Sequence, residues 1–202
     1  ILRPDRSPTG HMLCAIDVLG DDETFPNLKF DLSTEYQCFR EWLQSIRVKY
    51  IEFHHFIGHA DAIHDIVRSI NVPYDVFIHD YAWFCPRITL TSGDHRYCGE
   101  PRVEECTTCI SDHGATLDER ISPVALRQRS KAVLQSARSV IAPSFDTARR
   151  IESQLGRDTL VGAWEPDADL SLKTITAARG DRRKICVTGA IGYEKGYDTL
   201  LR

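Results

Sequence analysis

The stretch Tyr74-Asp75-Val76-Phe77-Ile78-His79-Asp80-Tyr81-Ala82-Trp83-Phe84-Cys85-Pro86-Arg87 decides the fold. Val76 to Ile78 form a short apolar run that predicts a buried strand. The run stops at a His-Asp pair and passes through aromatics into Cys-Pro-Arg. Open α/β sheets place their sites at the carboxyl ends of strands, where such titratable residues would fall. A lone His-Asp pair can equally be a capped loop end with a satisfied histidine, since structural ion pairs also gather titratable groups. Its neighbours along the chain give it weight.

Upstream, residues 48–53 are β-branched and aromatic and predict a second strand, which ends in His54-His55-Phe56-Ile57-Gly58-His59. A helix over 60–70 then leads through Asn71-Val72-Pro73 into the central strand. Further back, residues 12–18 and 28–32 read as strands on either side of an acidic turn at Asp21-Asp22-Glu23. Ser33 or Thr34 can cap a helix to about Arg47, with Tyr36, Phe39, Leu43 and Ile46 on one core-facing side.

Downstream, residues 82–117 form a loop that is long for a compact domain, which usually means function or a staple. A helix over 123–138 turns Leu126, Val133, Leu134 and Ala137 inward. Its other face, with Arg127, Arg129, Lys131 and Arg138, is expected to be solvated. A strand over 139–142 ends at Pro143-Ser144, and Ser144 caps a helix over 145–155 that Gly156 closes. Residues 159–164 form another short strand, 167–183 read as a polar linker, and 184–188 begin a new strand.

Strands alternating with helices at this spacing predict a Rossmann-like, doubly wound parallel sheet with a cysteine-rich loop. The expected division is a first domain over 1–166, a linker over 167–183, and the first strand and turn of a second domain over 184–202. The chain has 202 residues, 42 % hydrophobic and 27 % charged, enough to bury a real core. A net charge of −4 gives no support to a nucleic-acid-coating surface. No apolar run reaches the length that spans a bilayer, and no signal peptide is visible. The opening at Ile1 and the ending inside an incipient helix read as a piece of a longer protein.

Three constellations could carry chemistry. The first is Cys85, Cys98, Cys106 and Cys109, of which the last two form a CxxC. Thiolates at this spacing can close the shell of one tetrahedral zinc, a structural site, with His95 and His113 as spare ligands. A redox pair and four free thiols are the competing readings. The remaining cysteines, Cys14, Cys38 and Cys186, lie in or beside apolar stretches and are expected in the core.

The second is the turn Gly189-Ala190-Ile191-Gly192-Tyr193-Glu194-Lys195-Gly196. Gly189 and Gly192 permit close backbone approach to an anion, and Lys195 adds a cation at a helix start. Its spacing is neither of the usual nucleotide-binding glycine patterns, so an ordinary strand-turn-helix corner remains open. The third is the set of strand-end histidines. His54, His55 and His59 follow one strand and His79 with Asp80 the next, so adjacent parallel strands would bring them to one rim.

Taken together and in order, these segments resemble the bacterial retaining nucleotide-sugar glycosyltransferases of the GT-B type, built from two Rossmann-like domains. The matching pieces are Phe53-His54-His55, the 73–81 stretch running on to Cys85-Pro86-Arg87, the cysteines, Ile141-Ala142-Pro143-Ser144 and the final glycine turn. The likeness runs from about residue 48 to 202, and residues 1–47 carry no motif that matches.

The resemblance implies transfer of a sugar from a nucleotide-sugar donor to a saccharide or lipid-linked acceptor, with retention, as in polysaccharide biosynthesis. His79, with Asp80, would face the transferred sugar. Gly189, Gly192 and Lys195 would neutralise the diphosphate leaving group, and His54, His55 and His59 would lie on the acceptor side. It implies no catalytic metal, so zinc on the cysteines would be scaffolding. A cytoplasmic protein, peripheral to the inner membrane at most, is expected. The carboxylates that hold the donor in this family would lie beyond Arg202, so residues 1–202 alone are expected to be inactive. A different class also fits: a zinc-stapled carbohydrate- or protein-binding module that uses Tyr81, Trp83 and Phe84.

Overall fold

A computed structural model of the chain describes residues 1–18, 25–162 and 192–200. The expected linker, the strand over 184–188, Cys186, Gly189 and the acidic turn at 21–23 lie outside the described residues.

Two sheets organise the described residues. The first is antiparallel, with strands β1 (Leu2–Arg6), β2 (Met12–Ile16) and β3 (Lys29–Phe30) in the order β1-β2-β3. The second is parallel, with β4 (Ile51–Phe53), β5 (Tyr74–Phe77), β6 (Ser139–Ala142) and β7 (Leu160–Val161) in chain order. The strand at Met12–Ile16 therefore belongs to a separate antiparallel sheet. The strand order shows no reversal among the described residues, so these residues show a parallel α/β sheet without the doubly wound half of the expectation.

Helix α1 (Tyr36–Ser45) buries Phe39 and Leu43, and the Tyr36 hydroxyl meets the Ser69 hydroxyl at 2.9 Å. Ile46, past the helix end, is exposed rather than in the core. The single helix expected over 60–70 divides into a 3-10 turn at Asp61–Asp65 and the short α2 (Ile66–Ser69). The expected loop over 82–117 contains a full helix, α3 (Val103–His113), which has no buried residue of its own.

Helices α4 (Pro123–Ser136) and α5 (Phe145–Leu155) form where the sequence places them. Ser122 accepts a hydrogen bond from the Ala125 N–H at 3.2 Å, with Pro123 in the first turn. Ser144 caps α5 through the Thr147 N–H, also at 3.2 Å, and Gly156 closes it in the left-handed region at φ 66°.

The parallel sheet and its helices enclose the larger core, with Val76, Ile78, Leu134, Val140, Ala142 and Ile151 all but inaccessible. The second core lies between the antiparallel sheet, α1 and the 61–69 segment, around Cys14, Phe39 and Ile66. Burial pushes the Cys14 thiol up to about 11, as a small core residue should behave. Cys38 differs: it sits on the outer side of α1 and is exposed.

The long loop is better packed than its polar sequence suggests. Trp83, Phe84, Pro86 and Leu90 are buried in the larger core. Residues 89–98 fold back as a hairpin, with an antiparallel bridge between Thr91 and Tyr97 and Cys98 donating its N–H to Leu90. The Arg87 guanidinium ties this hairpin to the end of α3. It donates to the carbonyls of Thr91 (2.8 Å), Ser92 (3.5 Å), His113 (2.9 Å) and Gly114 (3.3 Å).

A second anchor sits at the other end of β5. Asp75 is 5 % exposed, and both its oxygens are engaged. Arg138 donates to it at 3.0 and 2.6 Å, Tyr50 through its hydroxyl at 2.7 Å, and Ser139 through its N–H at 3.1 Å. This carboxylate joins β5 to the start of β6, at the end of the sheet opposite the histidine rim.

Candidate functional site at the strand-end rim

The rim follows from parallel pairing. Phe53 aligns with Val76, so the residues after β4 and β5 emerge side by side. His54 Nδ1 and His79 Nε2 share a hydrogen bond of 2.8 Å. His54 stacks flat on Phe77, with centroids 4.7 Å apart, and His55 stacks on His79 at 5.0 Å. His55 Nε2 lies 3.7 Å from Asp80, whose other oxygen accepts the Ala82 N–H at 2.9 Å and so caps the turn into the loop. Glu52 lies 3.7 Å from His54 Nε2 on the outer side. The structure thus gathers His54, His55, His79 and Asp80.

Burial lowers the His79 pKa from its ordinary value, and the neighbouring imidazoles of His55 and His54 lower it further against the pull of Asp80. At neutral pH His79 is therefore an uncharged imidazole held by its neighbours, able to exchange hydrogen bonds with hydroxyls.

His59 does not join this group. It turns instead to a cavity of about 390 Å³ lined by His55, His59, His64, Trp83, Glu119 and Arg129 among others. Arg129 grips Glu119 with both ends of its guanidinium, one bond measuring 2.7 Å. That hydrogen bond holds the Glu119 carboxyl below its usual range. His64 lies beside the pair, and burial, with Arg129 adding to it, brings its pKa down to about 4. Nδ1 of His59 and of His64 are both buried without a hydrogen-bond partner. A second, apolar cleft of about 710 Å³ lies alongside, walled by residues such as Ile16, Leu43, Phe53 and Ile66 and bordered by His54, His55 and His59.

His64, Glu119 and Arg129 carry no signature in the sequence. His64 sits mid-way along a segment read as plain helix, and Arg129 belongs to the face expected to be solvated. That expectation fails for two of its four residues. Arg129 is half-buried against Glu119 and Arg127 against the long loop, while Lys131 and Arg138 are exposed, Arg138 still gripping Asp75. Helical periodicity reports which residues share a face but not what another segment lays across it.

Prediction follows from the sign of the His64 shift. Above pH 6.5 the imidazole is neutral whether the chain is folded or not. Between 6.5 and about 4 the unfolded chain takes up a proton that the folded chain refuses, so stability falls as pH drops through that window. Urea unfolding at pH 7 and pH 5 should differ by about 1 kcal/mol from this group, allowing for its partial exposure. His64→Phe should flatten the difference, and an unchanged slope would exclude the assignment.

The four loop cysteines come from three local structures. Cys85 ends the aromatic turn, Cys98 ends the hairpin, and Cys106 and Cys109 share one face of α3 three residues apart. Burial pushes the thiols of Cys85, Cys98 and Cys106 up. Cys98 and Cys106 raise Cys85 further, and Cys98 and Cys109 raise Cys106, so the sulfurs lie within electrostatic reach of one another. As the side chains stand, no group of three or more His, Cys, Asp or Glu among the described residues is drawn into an arrangement that could hold a metal ion. His95 stacks on Tyr193 at 4.7 Å, and His113 packs over Gly93, where a Cβ would collide with the imidazole.

At the far end, Gly192 opens a 3-10 turn (Tyr193–Lys195), Gly196 closes it at φ 79°, and α6 (Tyr197–Leu200) follows. Lys195 is exposed. Trp83 and Phe84, proposed contacts of a binding module, are only 6 % and 1 % exposed, which removes them as a recognition surface.

No helix among the described residues is long and apolar enough to cross a membrane. The chain matches no protein-family profile, no curated protein and no solved structure.

Proposed function

We propose that this chain is the acceptor-side part of a retaining glycosyltransferase of the GT-B type, taking a sugar from a nucleotide-sugar to a saccharide or lipid-linked acceptor. The observation that carries the reading is the hydrogen-bonded His54–His79 pair, at the carboxyl ends of adjacent parallel strands and beside a cavity edged by His55, Glu119 and Arg129. A neutral His79 suits contact with sugar hydroxyls. The cavity at His55 offers polar edges to a sugar ring, and the apolar cleft beside it offers room for a hydrocarbon chain.

In this reading Lys195 and the backbone around Gly189 and Gly192 offset the charge that builds on the departing diphosphate. By donor type Cys85, Cys98, Cys106 and Cys109 would give zinc only a cross-linking role, but as their side chains stand they do not converge on a metal-holding arrangement. His54, His55 and His59 border the acceptor, and Asp80 orients His55.

The test is transfer from a panel of labelled nucleotide-sugars by the full-length gene product, in EDTA. Sugar transfer or slow donor hydrolysis is expected there, and none from residues 1–202 alone. Complete inertness of the full-length product towards every donor, with no donor binding, would overturn the reading.

A further inference from the structure

Glu52 is an acidic group at the rim that the proposed reaction leaves unused. It stands two residues before His54, the spacing that puts both side chains on one face of an extended chain. Its Oε2 lies 3.7 Å from His54 Nε2. At its other ring nitrogen, Nδ1, His54 meets His79 Nε2 at 2.8 Å. Two nitrogens at that distance share one proton, so one imidazole donates and the other accepts.

An uncharged imidazole carries one N–H and one lone pair, so fixing either nitrogen fixes the other. A carboxylate beside Nε2 of His54 favours the N–H there and disfavours the lone pair. The lone pair then falls on His54 Nδ1, which accepts, and His79 Nε2 is the donor. His79 carries its own lone pair on Nδ1. The order of protons thus runs from one carboxylate through two rings. The other carboxylate of the rim directs a different ring: Asp80 accepts the Ala82 N–H at 2.9 Å and lies 3.7 Å from His55 Nε2.

We propose that Glu52 is a positioning residue that sets the proton order of the His54–His79 pair, so that His79 meets a sugar hydroxyl as a hydrogen-bond acceptor at Nδ1. What His79 meets there rests on the glycosyltransferase reading, whereas the proton order rests on the geometry of the three side chains. An accepting nitrogen holds a hydroxyl by its proton and leaves electron density on the oxygen; a donating one withdraws it.

The experiment reads the imidazole ring ¹⁵N shifts of the full-length gene product, labelled at histidine, by long-range ¹H–¹⁵N correlation. It is run at about pH 8, where an ordinary imidazole is uncharged. Protonated and lone-pair nitrogens resonate far apart, and His54→Gln and His79→Gln assign the signals. In the parent both rings should carry their proton on Nε2. Glu52→Lys, at an exposed position, should invert the order and put both protons on Nδ1, because an ammonium favours the lone pair on its side. Glu52→Thr, which removes the charge and suits a strand, should give shifts between the two. Turnover of Glu52→Lys should fall about 10-fold or more, with donor KM near that of the parent.

A parent whose His54 carries its proton on Nδ1, or an order that Glu52→Lys leaves unchanged, would overturn the role of Glu52. An inverted order with unchanged turnover would overturn the acceptor role of His79. If the parent shows the expected order but binds and transfers no nucleotide-sugar, the proton order stands and the glycosyltransferase reading alone falls.

Discussion

On the proposed glycosyltransferase reading, replacing His79 by alanine is expected to lower kcat by about 100-fold or more, the scale of losing one polar group aimed at a reacting centre. The loss should fall on kcat more than on donor KM, because the imidazole sits at the rim rather than in either cavity. His54 acts through it: its Nδ1 holds His79 Nε2, and its presence helps keep His79 neutral. His54→Ala should therefore cost less in rate and leave a signature in the pH profile. Activity that needs neutral His79 is lost as pH falls through the His79 pKa. Removing the His54 charge lets that pKa rise, so the acid limb should move to higher pH. Stopped-assay rates from pH 5 to 8 for the parent and both variants decide this. An unshifted limb in His54→Ala, or full activity in His79→Ala, would sink the assignment.

The second large effect concerns stability, and it is asymmetric. Arg138→Met should destabilise the chain, because it leaves the Asp75 carboxylate 5 % exposed with only Tyr50 and Ser139 as donors. Asp75→Leu should cost less, since the Arg138 side chain is 60 % exposed and can return to water. The hydrogen bond from Arg138 is the main cause of the lowered Asp75 pKa, with Tyr50 also contributing. Stability from this pair is full above the ordinary carboxylate range and lost as pH falls through the lowered value. In Arg138→Met the carboxyl is no longer held down, so the penalty should shrink at acidic pH. Urea midpoints at pH 7 and pH 4 for the three chains measure it.

The rim was legible because each of its parts is local. The β-branched and aromatic stretch 48–53 and the apolar run 76–78 end abruptly in titratable residues, and parallel pairing then brings the ends together. Helices α4 and α5 were legible from periodicity and from their serine caps. In the first sheet β2 and β3 were legible as strands but β1 was not, since it carries Pro4 and three charged residues with no alternation to read. Helix α3 was hidden for a similar reason: Glu104, Glu105, Thr107, Thr108 and Asp112 give it no apolar stripe, and it buries nothing of its own. The His64–Glu119–Arg129 wall depends on three segments meeting, which no single stretch announces.

The Arg87 tie bears on how the chain finds its sheet. Each strand of the parallel sheet pairs with the next in sequence, but β5 and β6 are separated by the whole cysteine loop and α4. Closing so long a connection is the slow kind of step in folding. A hairpin, a helix and a guanidinium that gathers carbonyls from both can form before β6 arrives, and they shorten the path that remains to be closed. Arg87→Met should then slow refolding more than it speeds unfolding, marking the loop as part of the folding nucleus.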